Sequence, residues 1–245
     1  MVYDKQDRLV ATQDANMRND GNKWLFTKYN RFGRVVYTGI TTGSRTTIQN
    51  QAKNAADNNN ESRSWGGFNK NGITVYYTQT AFPTTISEIL TVNYYDNYVN
   101  LGFSVPSSVM GETDLRKTVS ETKGMATASY IRILGTNSWE KTYTVYDKKS
   151  RPVGTYKTNH LGGFTKVESR LSFTGLPEET KTTHKRNSTG VEVAVLDHFT
   201  YDNQLRLIRH TQSVNGQTPR LIAKNEYDPL GQLVSKKVGG NQNGS

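Results

Sequence analysis

One short unit recurs along this chain and limits what it can fold into. It runs aromatic, Asp or Asn, two variable residues, a turn residue, a basic or amide residue, and then an apolar residue. It appears as Tyr3-Asp4-Lys5-Gln6-Asp7-Arg8-Leu9 and as Tyr29-Asn30-Arg31-Phe32-Gly33-Arg34-Val35. It returns as Tyr146-Asp147-Lys148-Lys149-Ser150-Arg151-Pro152, Tyr201-Asp202-Asn203-Gln204-Leu205-Arg206-Leu207 and Tyr227-Asp228-Pro229-Leu230-Gly231-Gln232-Leu233. A degenerate copy sits at Phe173-Thr174-Gly175. Tyr3 and Tyr29 are 26 residues apart, and so are Tyr201 and Tyr227. A fixed period of this kind points to tandem supersecondary units.

The unit reads as hairpin chemistry. Asp or Asn caps the turn with its side chain, and Gly at the fourth turn position takes the left-handed conformation of a G1 bulge. In such a hairpin the residue before the turn faces the second residue after it. The expected pairs are Tyr3 with Leu9, Tyr29 with Val35, Tyr201 with Leu207 and Tyr227 with Leu233, each an aromatic–aliphatic contact across two strands. Two copies break the pattern. Leu205 stands where Gly is wanted, and Pro152 where a strand residue should pair. Shifted or irregular turns are expected at both.

Between the units lie alternating runs rich in Thr, Val, Ile and Tyr: 72–80, 86–95, 128–134, 139–145, 164–173, 191–201 and 219–227. In 46–58, Ile48, Ala52, Ala55 and Ala56 recur at helical spacing and predict one short helix. Only 33% of the residues are hydrophobic, and the mean hydropathy is −0.72. Thin sheets with a wet face need fewer apolar residues than a thick core. The expected fold is therefore mainly all-β. Repeated antiparallel hairpins would form a curved sheet or part of a spiral β-shell, with the helix inserted. The organisation expected is a first repeat block at 1–103, a loop or insertion at 104–125, a second block at 126–240 and a flexible tail at 241–245. Both ends read as cuts in a longer chain.

Several segments, in this order, carry a family resemblance: Tyr3–Asp14, Lys23–Gly39, Ala81–Tyr95, Ile131–Gly135 with Trp139, Asn159–Gly163 and Asn225–Val234. Together they resemble the shell region of RHS/YD-repeat proteins in the long form common in Bacteroidetes, related to polymorphic-toxin shells. The resemblance implies a spiral of β-hairpins enclosing a C-terminal toxin or effector, exported or displayed at the cell surface. The expected partners are the rest of the parent chain, namely further repeats and a cargo domain, with export machinery or cell-surface components. Family members end in a core with paired Asp-Pro autocleavage signatures. This chain has Asp228-Pro229 alone, inside an ordinary turn, so autoproteolysis is not carried over.

The residues offer no catalytic, cofactor-binding or metal site, and no enzyme is expected. Cysteine is absent, which excludes disulfides, Cys-zinc sites and thiol catalysis. His160, His184, His198 and His210 lack metal-ligand spacing. Asp197-His198 could be the base half of a hydrolase, but no nucleophile motif accompanies it. Glu112 with Asp114, and Glu178 with Glu179, read as solvated loop carboxylates rather than a glycosidase pair. Asp4, Asp147, Asp202 and Asp228 each sit in their own turn and read as caps rather than calcium ligands.

Trp24 and Trp139 read as core. Trp65-Gly66-Gly67-Phe68 reads as a loop that could present an aromatic to sugars. The net charge of +10 is scattered, with one dense basic run at Lys181–Arg186, so nucleic acid is not an expected partner. No apolar run of transmembrane length occurs. The first expectation is a non-catalytic shell segment, secreted or at the cell surface. The alternative is an adhesin or carbohydrate-binding β-module.

Overall fold

Each hairpin unit folds around its capping side chain. In the computed structural model, which describes residues 1–240, Asp202 Oδ1 accepts the backbone N–H groups of Gln204 and Arg206, each at 2.9 Å. The backbone closes the same loop, with Asp202 N–H donating to Arg206 O at 3.0 Å and Leu205 N–H to Asp202 O at 2.9 Å. The turns at Asp4, Asn30 and Asp147 repeat this pattern. All four expected cross-strand pairs form in the expected register: Tyr3 with Leu9, Tyr29 with Val35, Tyr201 with Leu207 and Tyr227 with Leu233.

The irregular turns expected at Leu205 and Pro152 do not occur. Leu205 keeps the regular turn at φ +63°, as Ser150 does at +66°. The side-chain cap and the two backbone bonds outweigh a left-handed penalty of about 1–2 kcal/mol. The degenerate copy is capped two residues earlier than its aromatic suggests, at Ser172 rather than Thr174. Ser172 Oγ accepts from Leu176 N–H at 3.1 Å, with Gly175 at φ +94°.

The chain divides into two compact units. The first comprises 1–103 and 122–141. Its elements are β1 (Val2–Tyr3), β2 (Leu9–Thr12), α1 (Ala15–Asn19), β3 (Lys23–Tyr29), β4 (Val35–Thr42), α2 (Arg45–Lys53), β5 (Arg63–Lys70), β6 (Ile73–Tyr77), β7 (Glu88–Tyr95), β8 (Ala126–Arg132) and the start of β9 (Trp139–Tyr146). Strands β1-β2-β3-β4-β7-β8 pair antiparallel in that order, while β5 and β6 form a separate two-stranded sheet. Alternation buries Trp24, Phe26 and Lys28 of β3 on one face.

The β5–β6 hairpin covers that face. Tyr77 of β6 stacks on Tyr94 at 5.4 Å and meets Tyr37 at 6.1 Å. Tyr94 in turn meets Tyr130 at 5.1 Å. Gly39 is required beneath Phe26, because a Cβ there would lie 2.7 Å from the Phe26 ring and closer still to the Glu88 carbonyl. A second cluster joins Ile48 and Ala52 of α2 to Val2, Val10, Ala11, Trp24 and Phe82.

The predicted helix at 46–58 is shorter than expected. It spans Arg45–Lys53, between the Ser44 N-cap and the Asn54 C-cap, and does not run on to 58. The short α1, capped by Asp14, was not anticipated.

The second unit comprises 104–121 and 142 onward. Residues 104–121 hold no strand or helix. After β9 come β10 (Pro152–Thr158), β11 (Gly162–Leu171), β12 (Pro177–Asn187), β13 (Glu192–Tyr201), β14 (Leu207–Val214), β15 (Arg220–Tyr227) and β16 (Leu233–Val238). From β10 onward they pair antiparallel in sequence order. Within β11, β12 and β13 Gly163 is the one buried residue. These strands form a single layer in which both faces remain partly open. Their stability must come from ladder bonds and cross-strand pairs rather than a core. The tail expected to be flexible, 241–245, lies outside the described residues.

The period of 26 now has a geometric cause. Two strands and two turns return the chain to the same edge of the sheet, where the next capped turn forms. Successive turns on that edge are stapled together. The Tyr29 hydroxyl donates to Leu9 O at 2.8 Å, the Tyr95 hydroxyl to Val35 O at 2.9 Å and the Tyr227 hydroxyl to Leu207 O at 3.1 Å. Each of those rings lies under the Arg one residue before the accepting carbonyl. The Arg Cζ to centroid distances are 5.0 Å for Arg8–Tyr29, 4.3 Å for Arg34–Tyr95 and 4.5 Å for Arg206–Tyr227.

Candidate functional site

The acidic turn residues are occupied by their own hairpins. Arg8 Nη2 lies 2.7 Å from Asp4 Oδ2, Arg151 Nη2 lies 2.6 Å from Asp147 Oδ2, and Arg206 Nε lies 2.7 Å from Asp202 Oδ2. One carboxylate oxygen caps the turn and the other takes the Arg. Burial alone would raise the Asp4 carboxyl, but hydrogen bonds from Arg8, Asn59 and Gln6 hold it below its ordinary value. At Asp202 the backbone N–H of Arg206 leads the causes that lower it. Arg34 follows an Asn cap that carries no charge. It reaches instead to Asp96, with Nη1 at 3.1 Å and Nη2 at 2.6 Å.

The remaining candidate groups separate in space. Asp197 and His198 are chain neighbours, so strand alternation sends them to opposite faces. His198 Nδ1 contacts Glu179 at 3.1 Å, while Asp197 Oδ1 contacts His210 Nε2 at 2.7 Å and accepts from Gln212 at 2.9 Å. His210 also stacks on Phe199 at 4.5 Å. His184 meets the Thr165 hydroxyl at 2.9 Å, and His160 lies in the turn between β10 and β11. Glu112 accepts from the backbone of Asp114, whose carboxylate pairs with exposed Lys148 at 2.6 Å. Glu178 and Glu179 face Arg170. Lys181–Arg186 lies on β12, where Lys181 faces Glu168 and Lys185 faces Glu192. Among the described residues, no group of His, Asp and Glu converges as a metal site, and no helix is long and apolar enough to cross a membrane.

Trp24 and Trp139 are buried. Their indole N–H groups donate to Gly43 O at 3.0 Å and Asn71 O at 2.7 Å. Trp65 is 75% exposed. It belongs to β5 rather than to a loop, in a stretch where the register with β6 shifts between Arg63 and Phe68.

Two charged features of the first unit escaped the sequence reading. Lys28 and Glu61 form an ion pair at 2.8 Å with both side chains fully buried. Glu61 also accepts from Tyr37 at 2.9 Å, from the Ala81 N–H at 3.1 Å, from the Thr80 N–H at 3.2 Å and from the Thr78 hydroxyl. Burial pushes the Lys28 ammonium below its ordinary value, against the opposing pull of Glu61. It pushes the Tyr37 phenol up. A carboxylate so fully satisfied is a structural lock and offers no free atom for chemistry. A signal did exist: Lys28 stands at an inward position of an alternating strand, and a Lys there requires a buried anion.

The second feature is Arg63. Its guanidinium lies 4.7 Å from the Tyr94 ring and 5.5 Å from the Tyr77 ring. It forms part of the wall of a cavity of about 300 Å³, lined also by Asn30, Arg31, Phe32, Arg34, Ser62 and Asp96 among others. It also borders a smaller cavity of about 70 Å³ beside Trp65, Asn97 and Asn100. No protein-family model matches the chain, and no curated protein matches it.

Proposed function

We propose that this chain is a non-catalytic scaffold segment of a secreted or surface-displayed RHS/YD-repeat protein, one part of a β-shell around a C-terminal cargo. The observation that carries the reading is the single layer formed by β11, β12 and β13, where Gly163 alone is buried. A wall needs strands joined edge to edge and leaves both faces for other contacts. Outside that layer, Tyr–Arg staples tie successive hairpin units together at Tyr29, Tyr95 and Tyr227. The resemblance described from the sequence supplies the step from wall to container, and fold alone would not. The parent reading frame is the test. Further Tyr-Asp repeats, followed by a variable C-terminal domain that resists protease within the intact protein, are expected. A frame without a cargo domain, set among sugar-processing genes, would overturn the reading.

A second reading, a glycan-binding β-module, is favoured by one observation: Trp65 is exposed beside a small cavity that holds Asn97 and Asn100.

A further inference from the structure

We infer that the cavities around Arg63 form a binding site for an acidic oligosaccharide, with a uronate carboxylate held by Arg63 and Arg31. The choice of a sugar rests on the glycan reading; the anion site itself does not depend on the scaffold reading.

Charge pairing around the larger cavity leaves two arginines over. The larger cavity is bordered by Arg31, Arg34, Arg63, Glu61 and Asp96. Each carboxylate already has its cation: Glu61 is paired with Lys28, and Asp96 with both Nη atoms of Arg34. Arg31 and Arg63 remain, and among the described residues neither has a carboxylate within ion-pair distance, although both feel the charge of Asp96. Arg31 lies at the surface against Phe32, 4.7 Å from its ring.

Arg63 is the more telling of the two. An Arg has five N–H donors. Here one Nη1 donor goes to Tyr76 O at 3.2 Å, and Nη2 goes to Asn97 Oδ1 at 3.2 Å and Val99 O at 2.9 Å. Among the described residues the Nε–H and one Nη1–H have no acceptor. The carbonyls of Tyr76 and Val99, the Asn97 side chain and two tyrosine faces fix the guanidinium, Asp96 offsets its charge only from beyond ion-pair distance, and burial disfavours that charge. A held cation with spare donors at a cavity wall is pre-organised for a carboxylate.

The surroundings suit a sugar. Exposed Trp65 offers a flat apolar face at the neighbouring cavity, and Asn97, Asn100, Ser62 and Ser64 offer short polar groups for hydroxyls. Phe32, 58% exposed, gives the larger cavity an aromatic wall of its own. Specific sites combine apolar surface with a few placed polar groups in this way. An acidic peptide would satisfy Arg63 but would leave the Trp65 face without a matching ring.

Calorimetric titration of the full chain with tri-galacturonate tests this, alongside its methyl ester, a neutral galactose trimer and an Asp/Glu-rich peptide. Saturable binding of the acid that weakens with salt is expected, with the ester and neutral trimer at least about tenfold weaker. R31E sits at the surface and should abolish the preference for the acid while the circular dichroism spectrum is unchanged. W65A should weaken the acid and the ester alike. The inference is overturned by absence of saturable acid binding, by equal binding of acid and ester, or by unchanged affinity in R31E. Binding of neutral trimer without preference for the acid would keep the glycan reading and overturn this one. Binding of the peptide alone would overturn the sugar assignment.

Discussion

The Tyr227 hydroxyl donates to the carbonyl oxygen of Leu207 at 3.1 Å, joining one hairpin unit to the one before it. The Tyr227 ring also lies under Arg206, whose guanidinium is held by Asp202 at 2.7 Å. Each residue type of the repeat therefore has a task. Asp caps its turn and holds Arg, Arg covers the next Tyr, and Tyr bonds the carbonyl after Arg.

The staple should be measurable as coupling. Tyr227→Phe removes the hydroxyl bond and should cost about 1 kcal/mol in urea unfolding. Arg206→Ala and Tyr227→Leu, combined in a double-mutant cycle, should show a coupling of about 0.5–1 kcal/mol. Additive effects would show that Arg and Tyr act separately.

Leu205 should be a site of stored strain. It holds φ +63° and is 52% exposed, so little burial is lost on replacement. Leu205→Gly trades a left-handed penalty of about 1–2 kcal/mol against a glycine entropy cost of roughly 0.5–1 kcal/mol. A net gain of about 0.5 kcal/mol is expected, read as a higher urea midpoint at constant slope. Gly33→Leu at the equivalent position should move the midpoint the other way.

These two sites show what the sequence could and could not disclose. The pairing of Tyr201 with Leu207 was legible because a local turn sets it within a few residues. That Leu205 would keep the turn was not legible from propensity, since the compensating bonds of Asp202 decide the conformation. The Arg63 cavity was hidden for another reason. Its partners Asn97 and Val99 lie 34 and 36 residues away in sequence, and no local pattern reports such a meeting. The separation of Asp197 from His198 follows from strand alternation, while the contact with His210 is set by the register of β13 against β14. Only the separation could be read from β13 alone.

The buried Lys28–Glu61 pair should behave asymmetrically. Lys28→Ala leaves Glu61 uncompensated among Tyr37, Thr78 and Ala81, at an expected cost of about 3–5 kcal/mol. Replacing both partners, Lys28→Met with Glu61→Leu, should recover a large part of that loss. A double variant as unstable as the single one would mean that the Glu61 hydrogen bonds, rather than the pair, hold the loop at 78–81.

Acid should loosen the turns. Asp4 and Asp202 both have carboxyls lowered below the ordinary 3.8. A depressed folded-state value contributes stability that is complete above the unfolded value and lost as pH falls through the folded one. Stability measured by urea midpoint should therefore fall as pH drops below about 4, and the loss should be smaller in Asp4→Asn, which no longer titrates at that turn. An Asp4→Asn profile that parallels the parent protein would place the acid sensitivity elsewhere.

The open strand edge should make the isolated chain associate. Among the described residues, β16 pairs with β15 on one side, and its other edge is bare. Leu233, Val234 and Val238 are 52%, 64% and 69% exposed. An edge with free N–H and C=O groups and apolar side chains templates further strands. The edge carries no proline, and Lys236 and Lys237 are its only charged residues set against association. Sedimentation velocity at increasing concentration should show growing assemblies. Val234→Lys with Val238→Lys should shift them toward monomer by like-charge repulsion beside Lys236 and Lys237. A parent chain that stays monomeric at high concentration, with a sharp and reversible unfolding transition at high temperature, would show that the hairpin ladder is self-sufficient. It would remove one argument that this sheet is built to be continued by further strands.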